Sequence, residues 1–460
     1  MDDKLGGYVG TGRVAARGSR RAGGYPLLVK QGVNLGVLAA CNAGLAVVSA
    51  WYVVTHTGIN AETDAFFASG ALPQLAFLVM SATLLPVLVP LLATRDGERL
   101  RADAWAFFVL TTAFFALLGA ALYVSAGLWV PLLVPGFSPE AKELTVGLTR
   151  VQVVSMVLNA GIVSLWAAHH ARGRFVWVEL SGVLANLAGL AFLVWALPRF
   201  GIRAAAWNAV FYNCLKLALL APVLGRWRRP LWGAVSREAW RLLKPLLPLQ
   251  GYLRAEPALD RFLTSMQGAG SLSLLYVAQQ VYASAAAVTG KAFVAPMVPR
   301  LAVEADAGDW RHYRHTYRVR LALTVLLTSA GALLVLALGA PALRLTVGHG
   351  GIAAENVHAL WLVLVALAGS LVGGVSGQVA SGAFYAMGDT KTPAKVSAFV
   401  YTLYLPLKVA VFLRYGLVGL AVTTSAYFVV NALVQLLMLE AGVSRLVSSE
   451  APADVEAPSH

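Results

Sequence analysis

Arg254, Glu256, Asp260 and Arg261 crowd into an otherwise apolar stretch that runs from Leu246 to Phe262. Two guanidinium groups and two carboxylates this close can pair with one another, hold an anion, or exchange a proton or sodium ion. A charge at the middle of a bilayer costs about 2.5–3.5 kcal/mol on insertion scales, so these residues are expected to line a polar cavity. Pro257 removes one backbone hydrogen bond, and the helix should bend or break there. On an unbroken helix, Arg254 and Arg261 share one face while Glu256 and Asp260 share the opposite one.

More cations sit inside apolar segments: Lys216, Lys291 and Lys408, with Arg150 near a segment end. One such residue can snorkel to the interface. As a group they predict a cavity that attracts an anion, with Arg254, Arg261, Lys291, Lys216 and Lys408 as substrate-binding candidates and Gln280 beside them. Glu256 and Asp260 either neutralise an arginine as a structural pair or bind a coupling ion. Asp64 opens another apolar run, in Thr63-Asp64-Ala65-Phe66-Phe67. There, Thr63 or Asp64 is expected to cap a helix, or Asp64 to act as a gating or ion-coupling acid.

These residues must be positioned by membrane-spanning helices. The chain of 460 residues is 58% hydrophobic and 13% charged, about half the charge of a soluble domain. Apolar runs of about 20 residues recur along its length and predict an all-α polytopic membrane protein of about twelve spans. Residues 242–266, 272–298, 396–413 and 416–440 are among them. The net charge of +14 sits in short loops, which points to topology rather than nucleic acid. Loops near Arg13, Arg95, Arg172, Arg228, Arg311 and Lys391 are basic. The alternate loops hold only Lys142, Arg199, Arg203, Arg344 and Arg414. Both termini are therefore expected in the cytoplasm, in a multi-pass cytoplasmic (inner) membrane protein without a cleaved signal peptide.

The chain also repeats. Arg172-Gly173-Arg174-Phe175 and Met387-Gly388-Asp389-Thr390 punctuate helices 215 positions apart, and at that offset Arg199-Phe200-Gly201 falls on Arg414-Tyr415-Gly416. The expected layout is a basic tail at 1–29, six-helix lobes at 30–230 and 231–445, and a tail at 446–460, with the substrate path between the lobes. Gly369, Gly373 and Gly377 form a small-residue face for close helix packing, or for bending during transport. His312 and His315 are read as solvated loop residues rather than a metal site, and Cys41 and Cys214 lack metal-ligand spacing. No ATP-binding Gly-Lys-Ser or Gly-Lys-Thr loop, nucleophile elbow or His-Glu-x-x-His motif is present, so neither an ATPase nor an enzyme is expected.

Four motifs resemble the MurJ/MviN family of lipid II flippases: Thr63-Asp64-Ala65-Phe66-Phe67 with Leu72-Pro73, Val134-Pro135-Gly136-Phe137, Gly270-Ser271-Leu272-Ser273-Leu274-Leu275-Tyr276, and Ala383-Phe384-Tyr385-Ala386-Met387-Gly388-Asp389-Thr390-Lys391-Thr392-Pro393. The likeness covers roughly residues 30–440. It implies the multidrug/oligosaccharidyl-lipid/polysaccharide exporter fold, two lobes around a central cavity, and outward flipping of a lipid-linked sugar pyrophosphate. The arginines that the resemblance would place against the pyrophosphate fall instead on Ala43, Ser49, Phe77 and Gln280. The expected cargo is thus a polyprenyl-linked saccharide, lipid II or a related envelope precursor. Coupling would be to a proton or sodium gradient or to membrane potential, with no cofactor. Membrane lipid and envelope-synthesis proteins are the expected surroundings, and nucleic acid is not a partner. Two other readings are an ion-coupled multidrug exporter on the same fold and a non-transporting scaffold for envelope synthesis.

Overall fold

The computed structural model describes residues 25–95, 97–227, 233–244, 246–347 and 354–449, and among them every long element is a helix. Residues 1–24 and 450–460, which hold most of the two expected tails, lie outside the described residues, as does Arg228.

The first lobe runs α1 (Tyr25–Thr57), α2 (Ala61–Ser69), α3 (Ala71–Ala93), α4 (Gly97–Val124), α5 (Ala126–Leu133), α6 (Pro139–Ala171), α7 (Phe175–Phe200) and α8 (Ile202–Leu220). The second runs α9 (Ala234–Leu243), α10 (Leu246–Leu253), α11 (Glu256–Ser265), α12 (Ser271–Thr289), α13 (Met297–Asp306), α14 (Trp310–Val347), α15 (Ala354–Ala386) and α16 (Lys391–Ser449). Among the described residues, ten helices are long and apolar enough to cross a membrane. The last of these is two helices meeting at Gly416, and the seventh expected span is α10 and α11, each too short to count alone. The architecture is that of about twelve spans in two six-helix lobes around a central cavity. Their outer surface carries lipid-type side chains in the open, such as Leu117, Leu128, Leu413 and Leu437.

Turn chemistry sets the helix boundaries. Asn60, rather than Thr63 or Asp64, caps α2: its side chain accepts from the Glu62 and Thr63 N–H groups, and the Thr63 hydroxyl accepts from the Asn60 N–H. Asp389 caps α16 by accepting from the N–H groups of Lys391 (3.0 Å) and Thr392 (2.9 Å). Slight burial would raise its pKa, but the bonds from Thr392 and Lys391 outweigh this and hold the carboxyl below the usual aspartate range. This cap is complete above the ordinary aspartate pKa and is lost as pH falls through the depressed one.

The seventh span does break, but at Arg254–Ala255, so that Pro257 lies in the first turn of α11. A proline there loses no helical bond, because that N–H would have no partner in any case. The internal repeat is visible in the backbone. Gly201 (φ 59°, ψ −153°) and Gly416 (φ 61°, ψ −145°) adopt the same conformation, one that only glycine visits readily. Each ends one helix and starts another. His312 and His315 lie in the first turns of α14 rather than in a loop.

The glycine face of α15 packs against the second half of α16. A Cβ on Gly373 would stand 2.5 Å from the Val429 nitrogen and 2.6 Å from the Phe428 carbonyl carbon, and one on Gly369 would stand 2.9 Å from the Ser425 Cβ. Backbone cannot yield there as a flexible side chain would. Gly373→Ala is therefore expected to destabilise by about 1–3 kcal/mol, the usual cost of overpacking. Gly331→Ala, at a site where a Cβ meets nothing within 4 Å, should leave the melting temperature of the detergent-purified protein unchanged or higher. Equal melting temperatures for both variants would refute this close packing.

Candidate functional site

The lobes meet along few helices. From the second lobe, α12 packs on α1 and α2, while α10 and α11 pack on α3. Between them lies a cavity of about 1110 Å³, walled by α11, α12, α15 and α16 with Gln74 and Leu78 of α3. Arg254, Glu256, Asp260, Arg261, Gln280 and Lys291 all line it. Lys216, Lys408 and Asp64 do not.

At one end the lobes are tied by buried polar contacts. Asp64 is nearly inaccessible, yet it caps no helix of its own lobe. Its Oδ2 accepts from the Gly270 N–H at 2.6 Å, and its Oδ1 accepts from the Ser273 N–H at 2.8 Å and the Ser273 hydroxyl at 2.5 Å. It thus caps the N-terminus of α12 across the lobe boundary, where unsatisfied N–H groups and the helix dipole both favour an anion. Arg261, also buried, makes a second tie. Its Nε donates to the Phe67 carbonyl at 2.9 Å and its Nη2 to Gln74 Oε1. Phe67 stacks on Tyr276 with ring centroids 4.1 Å apart. Gly136, in the Pro-Gly turn after α5, has no room for a side chain because the Ser265 carbonyl oxygen and Met266 Cα already fill that space. Arg261 gives Nε and Nη2 to the lobe contact and Nη1 to the Pro257 carbonyl of its own helix at 3.3 Å.

The acids of the broken span face one cation. Lys408 of α16 is wholly buried and donates to Glu256 Oε1 at 2.9 Å, with Asp260 Oδ1 also in contact. The Tyr404 hydroxyl donates to Glu256 at 2.5 Å, and Gln279 Nε2 donates to Asp260 Oδ2 at 2.7 Å. Lys408 thus stands behind the carboxylates, away from the cavity. On the first lobe Lys216 is buried between the Trp166 and Tyr212 rings, 4.7 and 5.2 Å from their centroids, and donates to the Tyr212 hydroxyl at 2.9 Å. Cation–π contact of this kind compensates a desolvated ammonium in place of a carboxylate. Lys291 pairs with Glu179 at 2.6 Å. Among the described residues, Gln280 reaches only Ser284, at 3.5 Å.

One of the described cavity cations remains open. Arg254, in the break between α10 and α11, is exposed, lines the cavity and has no ion-pair partner among the described residues. The cavity wall on α15 and α16 is neutral and hydrogen-bonding. Gln435 accepts from the Ser381 hydroxyl at 2.7 Å and donates to Ser397 at 3.1 Å and Asn431 at 3.3 Å. Glu179, Gln74, Tyr404 and the Asn431–Gln435 pair were not among the candidates drawn from sequence. An acid in the fifth apolar run, Glu179, was the readable signal among them.

A helical membrane transporter with its cargo path between two lobes is the class of protein that this fold and cavity define. The sequence profile of the family described as Lipid II flippase MurJ matches residues 53–448. The chain belongs to that family. Two proteins named "Probable lipid II flippase MurJ" are similar along most of their length. The one from Synechocystis sp. is 23% identical over 393 residues, covering 80% of this chain and 73% of its own. The one from Bdellovibrio bacteriovorus is 22% identical over 399 residues, covering 83% and 76%. A solved lipid II flippase MurJ in an inward closed conformation superposes with a TM-score of 0.78 at 17% identity, covering 90% of both chains. An inward-facing multidrug resistance MATE transporter of the MOP superfamily superposes at 0.72 with 16% identity, over 91% of this chain and 96% of its own. These likenesses establish the exporter-superfamily fold.

The two kinds of cation separate in a stability assay. Lys408→Met strands the buried Asp260 carboxylate and the half-buried Glu256 beside it, and removing one partner of a buried pair costs about 3–5 kcal/mol. Fluorescence-detected size-exclusion profiles should therefore show little monodisperse Lys408→Met protein and a normal peak for Arg254→Ala. A normal Lys408→Met peak would contradict the buried cluster.

Proposed function

We propose that this chain carries a polyprenyl-linked saccharide, lipid II or a related cell-envelope precursor, across the cytoplasmic membrane by alternating access. The observation that carries this reading is Arg254, a guanidinium without a carboxylate partner among the described residues, which lines the same cavity as the neutral hydrogen-bonding wall of α15 and α16. Such a cargo has three parts with different needs. Its pyrophosphate needs a fork of charged donors, which Arg254 offers. Its sugars need amides and hydroxyls, as on Gln378, Asn431 and Ser397. Its prenyl chain needs only lipid, outside the cavity. Membership of the lipid II flippase family supports the same cargo class.

The basic loops favour both termini in the cytoplasm, which makes the sealed end at Asp64 the outer one. The positional repeat favours lobes at 30–230 and 231–445 between short tails. Transport needs no covalent chemistry from the chain. For coupling, the cluster of Glu256, Asp260 and Lys408 is where a proton would be exchanged, since it sets two carboxylates against one ammonium. The cavity acids would suit the second reading, a multidrug exporter for cations, but both are already engaged by Lys408.

Ala43, Ser49, Phe77 and Gln280 stand where the family resemblance expects arginine, and Phe77 packs edge-on against Trp166. A single guanidinium holds a diphosphate less well than several. Expression of this chain in a strain depleted of its own lipid II flippase is thus expected to restore growth only weakly, with membrane level checked by blot. Arg254→Ala should remove that growth. In purified protein it should weaken binding of a lipid-linked saccharide pyrophosphate by roughly tenfold to a hundredfold, the worth of one charge-assisted bond. Unchanged binding in Arg254→Ala, or export of a cationic dye without lipid-linked sugar binding, would overturn the proposal.

A further inference from the structure

A different contact crosses the lobes at the other end of the cavity. Lys291 lies in the π-helical turn Gly290–Val294 that continues α12, and its Nζ meets Glu179 Oε1 of α7 at 2.6 Å. Ser271 at the sealed end and Lys291 are separated by about 30 Å along the helix at 1.5 Å per residue. The two partners are held very differently. Glu179 is fixed within its own lobe: Asn42 Nδ2 donates to its Oε2 at 3.1 Å and to its backbone carbonyl at 3.0 Å, and Asn186 donates to Asn42 Oδ1 at 3.1 Å. Gly182 leaves the space that the Asn42 amide fills, since a Cβ there would stand 2.9 Å from it. Among the described residues Lys291 is hydrogen-bonded only to Glu179, and its side chain is 46% exposed against 24% for the acid. A π-turn is a local widening of the helix often found at functional sites.

We infer that Glu179 and Lys291 form a gate across the end of the cavity opposite Asp64, and that an anionic cargo opens it by taking Lys291 from Glu179. The inference rests on the proposed anionic cargo for its second half only. Lys291 also lines the cavity, so its ammonium can turn from carboxylate to phosphate without a change of helix. An exposed ion pair is weak and easily exchanged, in contrast to the buried Asp64 contacts. A phosphate with more charge and more oxygens competes well for the same ammonium. A neutral molecule offers nothing in exchange and leaves the pair closed. Glu179 is then a positioning residue that makes opening depend on cargo charge.

The test uses the full chain in detergent micelles, with Cys41 and Cys214 replaced by alanine and one reporter, Ala283→Cys, in the cavity wall on α12. The readout is the rate of reporter labelling by a charged thiol reagent, with fold checked by size-exclusion profile. Glu179→Gln and Lys291→Gln should each raise the rate up to about fivefold, the shift expected from losing one exposed ion pair. Lys291→Arg and the exchange Glu179→Lys with Lys291→Glu should label like the parent. Inorganic pyrophosphate should raise the parent's rate and leave Lys291→Gln unchanged, and a neutral disaccharide should do nothing. Labelling that is indifferent to all single variants would overturn the gate. Sensitivity to the variants without any response to pyrophosphate would keep the gate and overturn opening by anionic cargo. Loss of growth support by Arg254→Ala is measured separately and bears on the cargo alone.

Discussion

A charge within the span of a bilayer persists only if something nearby answers it. That constraint accounts for most of the site. Asp64 is answered by the N–H groups that open α12, Arg261 by the Phe67 carbonyl and Gln74, and Glu256 and Asp260 by Lys408. Lys216 is answered by two aromatic rings. Most of these answers come from a different helix, Trp166 of α6 among them, so most are also ties between elements. The exception among the described cavity cations is Arg254, which is where the proposed anionic cargo would have something to gain.

The ties fall into two groups with different consequences. Lys408 joins α11 to α16 inside one lobe, so it holds the broken span to its own bundle. Asp64 and Arg261 join one lobe to the other, so they hold a conformation. A helix N-terminus binds a carboxylate through directional N–H groups and a dipole, and both are lost once the helix moves a few ångströms. Such a contact is strong when closed and absent when open, as a two-state transporter requires. Gly136 and Gly270 allow the backbones to approach closely there, since a side chain on either would meet the opposite lobe.

Much of this was legible in the sequence. Apolar runs, basic loops and the repeat at 215 positions all report one-dimensional properties, and the matched backbone at Gly201 and Gly416 bears the repeat out. The embedded charges were legible as a set. Their pairing was not. A helical wheel placed Arg254 with Arg261, but the chain breaks between them, and the break puts the arginines in separate environments. Lys408 lies about 150 positions from its partners, and no local spacing records that meeting. Asp64 was weighed as a cap for its own helix because capping is usually local. Asn60 took that role and freed the aspartate to reach the other lobe. Glu179 and Gln74 each stand between apolar neighbours in the sequence, and only packing shows what they face.

The central claim is that the Asp64 contact closes one end of the cavity and that the lobes part when it is lost. Spin labels at Glu140 of α6 and Arg414 of α16, both exposed at that end, report the separation by pulsed dipolar spectroscopy in lipid nanodiscs. Asp64→Asn keeps the shape but turns an N–H donor toward the Gly270 N–H or the Ser273 pair. The account predicts one short distance in the otherwise unmodified chain and a second, longer population in Asp64→Asn. The same short distance in both, with protein of equal stability, would contradict it.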